Sequence, residues 1–257
     1  MRHEFDTPDA PKLRVGLAAG RVEIETADTA RTVVDVEAIR GDLENLRVEQ
    51  RGDTIAVEHR KKLAIVRGDE FEVRIVAPHG ADADLDVASA NVRVSGRIGG
   101  AEVNSASGDV ELDRVERDLR VRSASGGVRA TAVGGKADVN TASGDIELGT
   151  VAGDVVARSA SGDVRVGEPA AGVSVNTASG DQTISAVATG KVDLKSASGD
   201  VHVGVRRGSR VYVDARSMSG STTSELELGG TEPEGDGPLV ELKATTMSGD
   251  IAIVRAG

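Results

Sequence analysis

The phrase [Ser/Thr]-Ala-Ser-Gly-Asp opens at Ser105 and returns at Thr141, Ser159, Thr177 and Ser196, with Ser123-Ala124-Ser125-Gly126-Gly127 as a near copy. Its second serine sets the period: Ser107, Ser125, Ser143, Ser161 and Ser179 each stand eighteen residues after the one before. The spacing then loosens to nineteen at Ser198, twenty-one at Ser219 (Ser-Met-Ser-Gly) and twenty-nine at Ser248 (Thr-Met-Ser-Gly-Asp). A degenerate copy, Val87-Ala88-Ser89-Ala90-Asn91-Val92-Arg93-Val94, lies eighteen residues before the first. A fixed short period means stacked supersecondary units; helical repeats need longer ones, and eighteen is close to the shorter β-helix coils.

Inside a unit, apolar residues fall at every second position, as in Ala137-x-Val139-x-Thr141 and Ile146-x-Leu148. That period belongs to strands. The glycine eases a sharp bend and the aspartate bonds nearby backbone amides, so Ser-Gly-Asp reads as a corner between two strands. Units stacked in register give an all-β, parallel β-solenoid (β-helix-like) with coils ~4.8 Å apart. A second regularity fixes the coil length. The residue seven places after Asn104, Arg122, Asn140 and Arg158 runs Glu111, Arg129, Glu147, Arg165. Coils of eighteen residues stack Glu on Arg, whereas coils of thirty-six stack Arg on Arg, which like-charge repulsion disfavours. The Ser and Thr of the phrase, in the pattern Ser/Thr-x-Ser, share parity with the preceding Val, which predicts that these rows point inward at a corner and satisfy buried backbone groups.

With two Phe, one Tyr and no Trp among 257 residues, the core is built from Val, Ile, Leu and Ala. This suits the narrow interior of a solenoid. The absence of Cys removes disulfide and thiolate chemistry. A formal charge of -11 disfavours nucleic acid and anionic membrane as partners. Met1–Pro8 lacks an apolar leader, and no apolar run approaches the ~18 residues of a membrane span, so neither insertion nor export is expected and residence is expected to be cytoplasmic.

Along the chain, residues 1–80 read as an N-terminal β region of diverged coils and a cap, and 81–257 as regular solenoid repeats with a loop insertion at 229–238. Leu13-Arg14-Val15 through Ile24 already has the grammar of Leu119 through Val128. Further strands are expected at 32–38, 46–50, 54–58 and 71–77, with one short helical turn between Gly41 and Leu46. The last strand, Ile251-Ala252-Ile253-Val254, is expected to be an open edge that is either capped or used for end-to-end self-association.

The early Phe5-Asp6-Thr7-Pro8, the strand Val73-Arg74-Ile75-Val76-Ala77-Pro78 and the Ser-Gly-Asp-Val repeats resemble a bacterial family of β-strand-repeat proteins regarded as candidate adhesins, a domain of unknown function. The resemblance spans nearly the whole chain. It implies an all-β repeat fold and an adhesive or scaffolding role, and it supplies no catalytic motif.

Residue by residue, no catalytic, cofactor-binding or metal site is expected. His3, His59, His79 and His202 are scattered and lack zinc-ligand spacing. Asp109, Asp145, Asp163, Asp181 and Asp200 form a row of oxygen ligands of the kind calcium takes, yet Gly127 interrupts it and turn chemistry accounts for the aspartates. The repeated serines have no base beside them. Arg60-Lys61-Lys62 and Arg206-Arg207-x-x-Arg210 lack interleaved aromatics and read as solvated charge. The expectation is a non-enzymatic structural or interaction protein, a rigid scaffold with a protein partner. The alternative is a carbohydrate-binding or carbohydrate-active β-helix, which needs an acidic and aromatic concave patch.

Overall fold

A computed structural model describes residues 1–59, 68–226 and 237–256. Apart from one turn of 3-10 helix at Leu43–Asn45, the regular structure of these residues is all strand. The pairing is that of a parallel β-solenoid, and it falls into two units, Met1–Ala130 and Thr131–Gly257.

In the first unit two long strands, Lys12–Ala27 and Asp82–Ile98, run side by side in parallel from Lys12↔Asp82 to Glu25↔Ser95. Each bends once and so serves both faces of its coil. On the far side of Lys12–Ala27 lie Thr54–His59 and Glu70–Pro78, also parallel. Antiparallel strands finish this side: Leu46–Arg51 pairs with Thr54–His59, Arg31–Arg40 with Glu70–Pro78, and Arg2–Asp6 with Arg31–Arg40. The two outermost strands carry Arg2, Glu4 and Asp6 and Arg47, Glu49 and Arg51 on alternate positions. Charge at every second residue blunts an edge against unwanted pairing. The expected turn after Gly41 is the 3-10 segment, capped by Asp42, whose carboxylate accepts from Glu44 N at 2.9 Å. The repeats proper then stack at one-coil offsets, with Val92↔Val110 and Leu119↔Ala101.

The second unit shows the coil length most plainly. On one face Ala137, Val155, Val173 and Val192 are successive parallel partners; on the other, Ile146, Val164, Gln182 and Val201 are. One repeat is therefore one coil. The charge alternation follows: Arg93 stands opposite Glu111 with an ion pair of 2.6 Å, and Glu147 stands opposite Arg165. The bond from Val110 N to Gly127 O, 2.9 Å, carries the same offset on to Arg129 beside Glu111.

Identical offsets put like residues in columns, and the inward columns are fully buried Val, Leu, Ile and Ala. Apart from the Ser and Thr of the corners, Gln182 breaks this pattern. It is completely buried in a column otherwise occupied by Val164 and Val201, and its amide donates to Thr177 Oγ1 at 2.8 Å and Lys195 O at 2.7 Å.

Two expectations change here. Ile251–Ala256 is not an open edge: it pairs with Val201–Arg206 on one side and with Thr222–Ser224 on the other. Likewise Leu239–Ser248 lies between Gly190–Ser198 and Arg210–Ser219. The later segment has entered the stack between two earlier coils, and the outermost coil of this unit is residues 210–224. The physical reason is visible at Ser221. Each phrase aspartate accepts a bond from the next coil, and Ser221, in the aspartate position, only donates, to Asp250 Oδ1 at 2.8 Å. Second, the bend alone does not account for the phrase glycines: Gly180, Gly199 and Gly249 have positive φ, but Gly108, Gly126, Gly144 and Gly162 do not. They are needed because coils touch there: a Cβ on Gly162 would lie 2.1 Å from Gly144 O. Residues 229–236 of the expected loop, and the cluster Arg60-Lys61-Lys62, lie outside the described residues.

Candidate functional site

The repeated corner is the one constellation that recurs along the chain, so its polar atoms decide whether it is a site or a structural device. Its first residue, Ser105, Ser123, Thr141, Ser159, Thr177 or Ser196, is buried as the strand parity requires. The hydroxyls of Ser105, Ser123 and Thr141 donate to the carbonyl three residues on, at 2.8, 2.9 and 2.7 Å to Gly108, Gly126 and Gly144. Ser159 instead accepts from Gly162 N at 2.8 Å. The hydroxyls of Ser105, Ser123, Thr141 and Ser159 thus close their own corners, while Thr177 Oγ1 donates to Ser196 Oγ of the next coil at 3.1 Å. The second serine does not follow it inward: Ser107, Ser125, Ser143, Ser161 and Ser179 are exposed, because the bend turns them out of the strand alternation.

The aspartates form a ladder between coils. Asp163 N donates to Asp145 Oδ1 at 2.9 Å, Asp181 N to Asp163 Oδ1 at 3.0 Å, Asp200 N to Asp181 Oδ1 at 2.8 Å and Asp250 N to Asp200 Oδ1 at 2.8 Å. The carboxylate reaches the amide of the neighbouring coil, not of its own turn. In the first unit Asn91 Oδ1 takes the same place under Asp109 N at 3.1 Å, and Gly127 N still donates to Asp109 Oδ1 at 2.9 Å. An amide therefore substitutes for the carboxylate natively. Asp163→Asn is expected to leave the melting temperature nearly unchanged, whereas Asp163→Ala strips a partner from Asp181 N and costs about 1 kcal/mol. Equal losses for the two variants in thermal melts would contradict the ladder.

Among the described residues two carboxylates are shifted. Burial pushes Asp84 up, but hydrogen bonds from Lys12 and Arg14 and their charges outweigh it and hold the group below its ordinary value. Asp250 is lowered by the bonds from Ser221 N and Ser221 Oγ, only slightly opposed by burial. A carboxylate held lower in the folded state stabilises above its unfolded value, and that contribution disappears as pH falls through the folded value. The urea midpoint is therefore expected to fall on acidification below the ordinary carboxylate range, and less steeply in Asp84→Asn. Parallel pH profiles for the two proteins would refute this assignment.

The histidines are used separately. His3 stacks on Phe5 at 6.2 Å, His59 meets Phe71 edge-on at 5.7 Å, His79 Nδ1 lies 3.0 Å from Thr26 Oγ1, and His202 is exposed. Among the described residues no group of three His, Asp or Glu could hold a metal ion. Phe71 is fully buried and Phe5 half-buried, which leaves Tyr212 as the exposed aromatic ring. A sugar-stacking platform has no second ring to build on. A surface depression of about 280 Å³ lies over Arg21, Glu23, Asn91, Arg93, Asp109 and Glu111. Its floor is spent on the ladder and on ion pairs, with Arg21 3.7 Å from Glu23 and Arg93 2.6 Å from Glu111. In the second cluster Arg206 pairs with Glu168 at 2.5 Å and Arg210 Nε donates to Gly237 O at 2.9 Å.

Coils of one repeat, a buried hydroxyl row and a ladder between corners define a parallel β-solenoid repeat protein. Within that class the chain belongs to the Toastrack DUF4097 family, whose model matches residues 11–254. No curated protein matches it. Among solved structures, a candidate lipid-binding protein from Parabacteroides distasonis is similar over 99% of this chain and 96% of its own, at 17% identity and a TM-score of 0.56. A candidate adhesin from Bacteroides fragilis is similar over 98% and 96% at 12% identity, with a TM-score of 0.48. At such identities the first of these likenesses is one of fold. No helix among the described residues is long and apolar enough to cross a membrane.

Proposed function

We propose that this chain is a non-enzymatic scaffold, a β-solenoid that acts by presenting its outer surface to protein partners in the manner of an adhesin. The observation that carries the reading is the use of the repeat's polar atoms. The buried hydroxyls close corners and the aspartate Oδ1 atoms tie coils together, so the most repeated chemistry of the sequence is consumed in holding the coil stack. The faces carry paired charge, as at Arg93–Glu111 and Arg165–Asp163, the composition of a contact surface and not of a reaction pocket. The test is affinity capture of the tagged chain from its own cells, followed by titration of the recovered protein against purified material. Saturable binding of a protein ligand is expected. Turnover of a glycoside, ester or phosphoester substrate, or binding confined to glycans, would overturn the proposal.

A further inference from the structure

The outermost coil of the second unit differs from the coils beneath it in one respect: its core is left half open. Val240, Leu242 and Ala244 are 0%, 1% and 0% exposed, yet Val211, Val213 and Ala215, their partners one coil out, are only half-buried. The strand that carries them, Arg210–Ser219, pairs with Leu239–Ser248 on one side, and no strand among the described residues pairs with its other side. The bond from Arg210 N to Pro238 O, 2.9 Å, shows which way its backbone groups face. Alternation along a strand then turns the N–H and C=O of Val211, Val213, Ala215 and Ser217 toward the free edge. Unlike the outer strands of the first unit, this edge also carries two exposed apolar side chains, Tyr212 at 57% and Met218 at 81%.

We propose that this edge pairs with the same edge of a second copy, antiparallel about a two-fold axis through Ala215. The register follows from parity and charge. Only arrangements that set the outward-facing groups of 211, 213, 215 and 217 against each other can form a ladder. Centring on Val213 places Arg210 opposite Arg216, and centring on Asp214 places that aspartate against itself. Centring on Tyr212 opposes Arg210 to Asp214 but pairs a short stretch. Centring on Ala215 aligns residues 211–219 and sets Asp214 opposite Arg216 and Tyr212 opposite Met218, each twice. These are the closely spaced, non-hydrogen-bonded positions at which cross-strand side chains interact most strongly. Asp214 and Arg216 already pair within one chain at 2.9 Å, so the two copies together form a four-charge cluster. The same operation lays the half-open layer of one core over that of the other. An isologous contact of this kind closes on itself and gives a dimer, not a fibre.

The inference names a partner for the scaffold reading and rests on it only in taking the chain to work by contact. Sedimentation velocity of the full chain over a wide concentration range is expected to show a dimer of the 26.4 kDa protein. Ala215→Pro deletes an outward N–H that no strand among the described residues pairs with, a place where an edge strand tolerates proline. It is expected to yield a monomer that still melts cooperatively, at a temperature that no longer depends on protein concentration as the wild type's does. Asp214→Arg and Arg216→Asp, each alone, set like charges opposite one another and are expected to abolish the dimer; together they restore it. A wild-type protein that stays monomeric throughout, an Ala215→Pro variant that still dimerises, or a double swap that fails to restore association overturns the proposal. Should Ala215→Pro not fold, the charge series decides alone. A monomer that still binds its captured partner sinks this inference and leaves the scaffold reading standing.

Discussion

Gly162→Ala is expected to lower the melting temperature by about 10 °C, although it adds one methyl group at a position with ordinary backbone angles. The added carbon would sit 2.1 Å from Gly144 O and 2.5 Å from Gly144 C, and both are backbone atoms of the coil below. No rotamer change relieves that contact, so the two coils must move apart. Their separation strains the bonds nearest the corner, Ser161 N to Ala142 O at 3.0 Å and Asp163 N to Asp145 Oδ1 at 2.9 Å. Overpacking and two weakened hydrogen bonds together cost roughly 3–5 kcal/mol. Gly16→Ala is the matched control: its Cβ would find nothing nearer than Glu58 Cγ at 3.9 Å, and φ there is not positive. That variant is expected to melt with the wild type or slightly above it. Equal melting of the two variants by calorimetry would show that coil contact is not what selects the glycine.

Leu148→Ala should cost about 3–5 kcal/mol, the upper part of the range for such truncations. Leu148 is 1% exposed, and its strand is tied to the next coil from Ile146↔Val164 to Val151↔Pro169. The cost of truncation depends on how far the walls can close on the space left behind. Here the spacing of the walls along the stack is set by the backbone ladder at ~4.8 Å, so the coil cannot sag into the gap without breaking bonds. Leu148→Val should lose less than half as much. Urea titration reads both, and a near-neutral Leu148→Ala would mean that the interior is looser than its burial implies.

The strand grammar, the one-coil repeat and the buried hydroxyl were legible in the sequence because each rests on a local rule that recurs eighteen residues later. Parity puts Val139 and Thr141 on one side, and the alternation of Glu111, Arg129, Glu147 and Arg165 has meaning only if neighbours in the series are neighbours in space. What could not be read depends on which coil lies next to which. The glycine of the phrase looks like a bend residue because its own turn is all that one copy displays; its steric partner is the carbonyl of another copy. The aspartate is similar, since its amide partner belongs to the adjacent coil. Residues 210–224 and 239–256 both carry usable copies of the phrase, and pattern alone gives no reason to reverse their order. The substitution of Ser221 where Asp250 and its relatives stand was a signal, visible once the aspartate is understood as the acceptor for a coil beyond.

That reversed order has a consequence for how the protein is made. As the chain leaves the ribosome, residues 210–224 emerge before the coil on which they finally rest. Their native seat does not exist until 239–256 has been synthesised and has docked on 190–206. Until then the only matching surface for 210–219 is the one that 239–248 must occupy. Assembly at this end is therefore a matter of timing, in which an early occupant must either wait in solution or give up its place.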